Sequence, residues 1–282
     1  MLSPYSKVIR RVSLGYFSVN PRSDVYRNLK VLAFAPVLNE KLKIAEVIKR
    51  TPRDVADEIL IVDDGSDDGS PSICRALGAT VVELGQTLGV GAAIRTAFQY
   101  AVDNEFDVIV VMAGNNKDFP EHMTNLIDPI ASNFADFVQG SRYLHDEQDF
   151  GPMPLYRKVA TRLHPWLFSR ISGQRVTDST NGFRAIHTRV LTSPLIDLSP
   201  ARLDNYELEP YIFMNAIRKG FRVVEVPARK VYPPKNLGQT KMKPITGWWS
   251  ILRPLFWLFA QNPLSILRAP RPAPKFEEAP NS

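Results

Sequence analysis

Asp63 and Asp64 close the segment EILIVDDGS, residues 58–66, where an apolar run ends abruptly in two carboxylates, a glycine and a serine. A short apolar run closed by turn residues predicts a buried parallel strand with a loop at its carboxyl end. Ligands bind at that end of open α/β sheets, so the two carboxylates are placed to hold ribose hydroxyls, a base edge or a metal ion. A solvated acidic turn is the plain alternative, and the string DDGSDDG also invites calcium. Its spacing lacks the EF-hand pattern and that motif's closing Glu, which argues against calcium. Asn39 and Glu40 follow an earlier apolar run in LAFAPVLNE, and Gly89 and Gly91 open a helical pattern in LGVGAAIRTAF. Glycines at a helix start allow close backbone approach to a phosphate, and the helix N-terminus favours negative charge. The third glycine of the dinucleotide fingerprint is missing.

These residues need a rigid frame, and strands alternating with helices supply one. Residues 30–36, 59–62, 80–84 and 108–112 read as strands, and 41–50, 70–77 and 91–102 as the helices between them. That rhythm predicts βαβ units and an α/β fold with a mostly parallel central sheet flanked by helices. Residues 137–140 read as a further short strand, and 156–171 as a basic, apolar-striped helix crossing the sheet. Residues 207–218 read as a helix ended by Gly220, and 222–226 as a late strand stopped by Pro227.

The chain then changes character. Residues 244–260, PITGWWSILRPLFWLFA, are strongly apolar but interrupted by Arg253-Pro254. The run is too short and too broken to span a bilayer. It predicts a pair of C-terminal interfacial helices, with tryptophans at headgroup depth and arginine snorkelling. A core or oligomer-interface helix is the alternative. The expected divisions are a basic arm over 1–29, the α/β domain over 30–243, amphipathic membrane-surface helices over 244–267 and a disordered tail over 268–282.

A chain of 282 residues can bury one sizeable core, and its 44% apolar and 23% charged residues are those of an ordinary globular protein. The single Cys74 excludes an internal disulfide, fits a reducing compartment and reads as a helix packing residue. No apolar segment follows the basic start, so no signal peptide is expected. The net charge of +6 gathers at the ends: Lys7, Arg10, Arg11, Arg22, Arg27 and Lys30 face only Asp24, and residues 241–275 are again basic. Such ends suit a polyanionic surface, and the neighbouring aromatic segments favour anionic lipid over nucleic acid.

The order APVLNE, VDDGSDDGS, LGVGAAIRTAF, VVMAGNNKD, QGSRY, DSTNGFRAIHTRV and EVPARKVYP resembles family 2 glycosyltransferases of the dolichyl-phosphate mannosyltransferase type, over about residues 30–245. The resemblance implies a GT-A fold, a UDP- or GDP-linked sugar donor, inversion at the sugar carbon and often a polyprenyl-phosphate acceptor. Residue by residue, it puts Pro36, Asn39 and Glu40 in the nucleotide pocket with Gly89 and Gly91, Asp63 against base or ribose, and Asp64 beside it. Arg142 in GSRY and Arg184 in NGFR would face acceptor or donor phosphates, as planar bidentate forks do well. Asn181 stands where the family often has Ser and could still bond a phosphate; Thr87 stands where an Asn is common. Transfer to a phosphate needs no general base, whereas a sugar or protein hydroxyl would, with Asp178, Asp204, Glu207 and Glu209 as candidates. In the family an acidic residue before the late helix helps order the site, and Glu207 and Glu209 both lie near it.

The fourth strand departs from the family. Its usual Asp-x-Asp, which holds Mg²⁺ or Mn²⁺ against the donor diphosphate, is replaced by Ala113, Gly114 and Asn115, then Asn116, Lys117 and Asp118. Hard divalent cations want several oxygen ligands including carboxylates, so poor metal binding is expected. Lys117 could set an ammonium where the metal would sit; Asn115 with Asp118 could form a weakened metal site; or catalysis could be lost, leaving a nucleotide-sugar binder. The expected protein is a glycosyltransferase peripheral to the cytoplasmic membrane face, its oligomeric state open. A soluble transferase acting on hydroxyl acceptors is the rival reading.

Overall fold

The computed structural model describes residues 26–144, 155–231 and 246–276, with the backbone alone at 155–161 and 246–248. The N-terminal arm lies almost wholly outside the described residues, as do 277–282.

Seven strands form one sheet: β1 (Val31–Val37), β2 (Glu58–Asp63), β3 (Thr80–Glu83), β4 (Val108–Val111), β5 (Phe137–Ser141), β6 (Arg184–His187) and β7 (Val223–Pro227). Their order is β3-β2-β1-β4-β6-β5-β7. β1 pairs in parallel with both β2 and β4, with Pro36 opposite Val62 and Phe34 opposite Val111. β6 alone runs against the rest, antiparallel to β4 and β5. The carboxyl ends of β1, β2, β4 and β5 therefore share one edge of the sheet.

The helices are α1 (Lys41–Arg50), α2 (Ser70–Ala76), α3 (Val90–Asp103), α4 (Met123–Ala131), α5 (Leu155–Ser172), α6 (Thr188–Leu191), α7 (Leu208–Arg218) and α8 (Thr246–Gln261). Alternate strand residues point to opposite faces, and each face has its own core. Val31, Ala33, Ile59, Ile61, Val108 and Val110 pack on α1, α2 and α4. Leu32, Phe34, Leu60, Val62, Ile109 and Val111 pack on α3, α5, α7 and α8. Burial on both faces explains why these strands are continuous apolar runs. Cys74 of α2 is buried in the first core, where burial pushes its thiol up to about 11.

Three expectations about the late chain are revised. Residues 184–187, read only as part of a motif, form the reversed strand β6. Residues 246–261 form one helix running through Pro254, not a pair broken at Arg253-Pro254. Its inner face, Leu255 and Leu258, is fully buried on the α5 and α7 side. Residues 268–276, expected to be unstructured, are held by main-chain bonds from Arg175 N–H to the Arg271 carbonyl (2.7 Å) and from Arg271 N–H to the Gly173 carbonyl (2.9 Å). Phe276 completes the anchor, its ring 5.5 Å from that of Phe134.

Candidate active site

At the shared carboxyl edge, a cavity of about 780 Å³ opens between the ends of β1, β2 and β4, the 87–90 loop, residues 205–209 and α8. Pro36, Glu40, Asp64, Gly89, Asn115 and Lys117 of the expected site line it.

Asp64 is the strut of one wall. Its carboxylate accepts the Leu88 N–H at 2.7 Å and the Gly89 N–H at 3.0 and 3.1 Å. Burial raises its carboxyl above the usual range, opposed by those two bonds and reinforced by the neighbouring Asp63 charge. Asp63 lies just behind the cavity surface. One oxygen accepts the Gly65 and Ser66 N–H groups at 3.1 and 2.8 Å, while its buried Oδ1 has no hydrogen-bond partner among the described residues. Glu40 pairs with Lys43 across 2.7 Å, and both line the cavity. Asn39 does not reach the lining; its N–H donates to Ser66 Oγ (2.8 Å) and its Oδ1 accepts the Asp67 N–H (2.9 Å), bracing the two loops.

The glycines have a structural role besides the one expected. A Cβ on Gly89 or Gly91 would run into the main-chain oxygens of Asp204 or Leu203. Gly89 also has φ of +110°, which side chains rarely adopt. The close approach they permit is to the chain itself, where the Ala92 N–H donates to the Asp204 carbonyl at 3.0 Å. α3 is thus clamped to the 201–205 segment, a contact that Arg95 secures through Asp204 Oδ1 (2.5 Å) and the carbonyls of Leu198 (2.7 Å) and Pro200 (3.2 Å). Gly91 is absent from the lining.

The two expected phosphate-binding arginines are also turned inward. Arg142 is 3% exposed, and its fork holds Asp178 at 2.6 and 2.8 Å and Thr180 Oγ1 at 2.6 Å. Arg184, equally buried, meets Glu209 Oε1 at 3.0 Å and the Asn181 carbonyl at 2.5 Å. Fully buried Asn181 donates to the Gly140 carbonyl (2.9 Å) and accepts from Lys230 Nζ (2.8 Å). None of the three lines the cavity. Each is occupied by an internal partner because it lies beneath the sheet edge, where an unpaired charge or amide would be costly.

The turn after β4 carries the residues considered for a metal. Asp118 is 2% exposed; one oxygen accepts the Ala113 N–H at 2.8 Å and the other meets Lys230 Nζ at 2.8 Å. Lys230, which sequence reading missed, thereby spends its charge on the carboxylate that could have replaced the lost ligands. Asn115 contributes only an amide, and among the described residues no group of three or more His, Cys, Asp or Glu is arranged to hold a metal ion. These residues do not fit a divalent cation at this turn, and the paired Asn115–Asp118 site is not formed.

Arg253 is the second missed residue. It enters the cavity from α8 with Trp249 and Ser250, and its Nη2 donates to Glu207. The Ser250 hydroxyl accepts the Tyr206 N–H at 3.2 Å, tying α8 to the same segment that clamps α3. In sequence Arg253 had read only as a break in an apolar run. Of the four carboxylates considered as bases, Asp178 and Asp204 are held by arginines away from the lining, while Glu207 and Glu209 line it.

The sequence and the fold that build this cavity have known counterparts. Residues 33–196 match the model of the family described as Glycosyl transferase family 2. The chain belongs to that family. A polyprenol monophosphomannose synthase of Mycolicibacterium smegmatis is 29% identical over 220 residues, covering 76% of this chain and 81% of that protein. A UDP-N-acetylglucosamine–dolichyl-phosphate N-acetylglucosaminyltransferase of Methanococcus voltae is 27% identical, covering 70% and 84%. Among solved structures, glucosyl-3-phosphoglycerate synthase of Mycobacterium tuberculosis in complex with UDP superimposes with a TM-score of 0.60 at 19% identity, covering 83% of this chain and 81% of that one. The fold is the GT-A fold of glycosyltransferases, and the protein is a glycosyltransferase. The same synthase has been solved with Mn²⁺ and UDP, so the fold admits a metal.

Proposed function

We propose that this chain moves a sugar from a nucleoside-diphosphate sugar onto the phosphate of a polyprenyl-type lipid at the cytoplasmic face of a membrane, inverting the sugar carbon. The observation that carries this reading is the position of Trp249. It lines the cavity and is also 55% exposed on the outer face of α8, its ring 5.8 Å from that of exposed Phe256. Leu163 and Trp166 of α5, which packs on α8, and Leu264 and Leu267 just beyond α8 are exposed as well. Arg162, Arg170, Arg268 and Arg271 accompany it in sequence. An apolar face with basic residues suits an anionic membrane surface, and a cavity opening beside it suits a substrate with a lipid tail and a charged head. No helix among the described residues is long and apolar enough to cross a membrane, so contact with the bilayer would be peripheral. The names of the relatives from Mycolicibacterium smegmatis and Methanococcus voltae support the acceptor class.

In this reading Pro36, Glu40, Asp64 and Gly89 form the nucleoside wall. An acceptor phosphate oxygen attacks the anomeric carbon from the face opposite the donor diphosphate. The carbon–oxygen bond to the diphosphate breaks, and its electron pair leaves with the nucleoside diphosphate. The attacking oxygen is already anionic, so no proton has to be removed. What the protein supplies is orientation and positive charge. Lys117, on the turn where the family holds a metal, places an ammonium by the diphosphate as a fixed charge, and Lys43 adds a second. A hydroxyl acceptor would need a base. Glu207 and Glu209 already engage Arg253 and Arg184, which favours the phosphate acceptor.

The test is transfer by purified protein in excess EDTA. Sugar should reach a polyprenyl phosphate at a rate within about threefold of that with Mg²⁺, and Lys117→Ala should reduce transfer by about 100-fold or more, as removal of one charge stabiliser does. Complete loss in chelator, or full activity of Lys117→Ala, contradicts the lysine account.

A further inference from the structure

We infer that Arg253 of α8 is the residue that takes the acceptor's phosphate, so that one helix carries both the lipid-facing surface and the phosphate-binding cation. The inference rests on the lipid-phosphate reading above and gives it a residue that the family motifs do not supply.

Four observations converge on Arg253. It lines the cavity, while Arg142 and Arg184, the motif arginines, are buried in internal pairs. Its guanidinium is only partly engaged: Nη2 donates to Glu207, whereas Nε, like that of Arg184, is buried without a hydrogen-bond partner among the described residues, and of the two arginines Arg253 is the one at the cavity. Glu207 is 1% exposed, and its Oε2 likewise has none. Glu207 therefore orients the guanidinium from behind, and the unused Nε–H is a donor that an anion's oxygen would take once the side chain turns it toward the cavity. The last observation is spacing. Trp249, Arg253 and Phe256 stand at i, i+4 and i+7, one stripe of a helix, so an isoprenoid tail along the two rings would bring its phosphate to the stripe that carries Arg253.

Glu207 holds Arg253 against the cavity before the acceptor arrives. The guanidinium also lies 5.0 Å from the Trp257 ring, which keeps it from swinging into solvent. The phosphate then shares the fork with Glu207. Arg253 takes no proton and forms no covalent bond; it lowers the cost of bringing an anionic nucleophile toward an anionic donor. A phospholipid headgroup offers a similar phosphate, so the experiment must separate the two sources.

Full-length wild type, Arg253→Ala and Arg253→Lys would be assayed with a water-soluble short-chain isoprenyl phosphate, with nucleotide-sugar binding measured by calorimetry and vesicle binding by flotation on phosphatidylglycerol liposomes. Thermal melting would show that each variant folds. Loss of a charge-assisted bidentate contact predicts KM for the isoprenyl phosphate raised by about tenfold or more in Arg253→Ala, with Arg253→Lys in between. Nucleotide-sugar affinity and liposome binding should stay within about twofold of wild type. An unchanged KM, a fall in nucleotide-sugar affinity, or loss of liposome binding in Arg253→Ala would overturn the assignment. Failure of the wild type to use isoprenyl phosphate at all would overturn the underlying function instead. If both variants fail to fold, competition of isoprenyl phosphate against the guanidinium-selective reagent phenylglyoxal on wild type decides: protection of Arg253 supports the assignment and its absence refutes it.

Discussion

Lys230 shows how one side chain can redirect a site. Its ammonium sits 2.8 Å from Asp118 and 2.8 Å from Asn181 Oδ1, at 9% exposure, and so converts a would-be metal ligand into part of the scaffold. Removing one partner of a buried pair leaves an uncompensated charge, at a cost of about 3–5 kcal/mol. Lys230→Ala should therefore lower the melting temperature markedly, and Asp118→Asn added to it should recover part of the loss. Equal melting of Lys230→Ala and wild type would contradict the pair. The same logic governs Arg142 and Arg184. Their motifs are legible in sequence, but whether an arginine meets a ligand or a carboxylate depends on partners such as Asp178 and Glu209 that fold in from elsewhere. Asp64 and Glu40, which line the cavity, were readable as cleft residues because each follows the end of a strand that is legible as an apolar run. Lys230 and Arg253 were not, because their partners lie 112 and 46 residues away in sequence.

Among the elements, β1, β2 and β4 announce themselves as apolar runs because both faces of the sheet are covered. β6 does not. Its four residues, Arg184 to His187, include two ionisable side chains, one paired with Glu209 and the other capping α6 by accepting the Arg189 N–H. α8 misleads in the opposite way. A proline inside a helix costs about 3 kcal/mol, but burying Leu255 and Leu258 returns about 1.5–3 kcal/mol each, enough to carry the helix through Pro254. β7 contributes a pH dependence. Glu225 accepts the Thr177 and Asp178 N–H groups at 2.7 and 2.8 Å, and burial pushes its carboxyl from the usual 4.5 up to about 7, against the pull of those bonds. Because the folded value lies above the ordinary one, the protonated form favours folding and this stability is lost as pH rises from about 4.5 through about 7. The melting temperature of Glu225→Gln relative to wild type should shift in the variant's favour between pH 5 and pH 8, by an amount on the order of 1–3 kcal/mol in stability. A difference independent of pH would refute this.

For the whole molecule, the GT-A sheet places carboxylates at the ends of β1 and β2, and the C-terminal helix closes the far side of the cavity. The order of motifs made the fold legible from residues 30 to about 230, since each strand end carries its own signature. The role of the C-terminal third was only half legible. Composition marked α8 as amphipathic, with a core helix as the alternative, yet nothing in the linear sequence said that one helix does both and that Arg253 reaches the cavity. In the proposed reading, a helix that is core on one side, cavity wall at one edge and exposed aromatic surface on the other would link membrane contact to the site. That linkage is what the lipid-phosphate reading requires of the molecule as a whole. The most direct test is to incubate the purified protein with radiolabelled nucleotide-sugars, offering polyprenyl phosphate, polyprenol and a free-sugar acceptor in parallel. The account predicts label in the organic phase only with polyprenyl phosphate, released by mild acid as a glycosyl phosphate is. Label transferred to the hydroxyl acceptors instead, or none transferred from any donor, would contradict it.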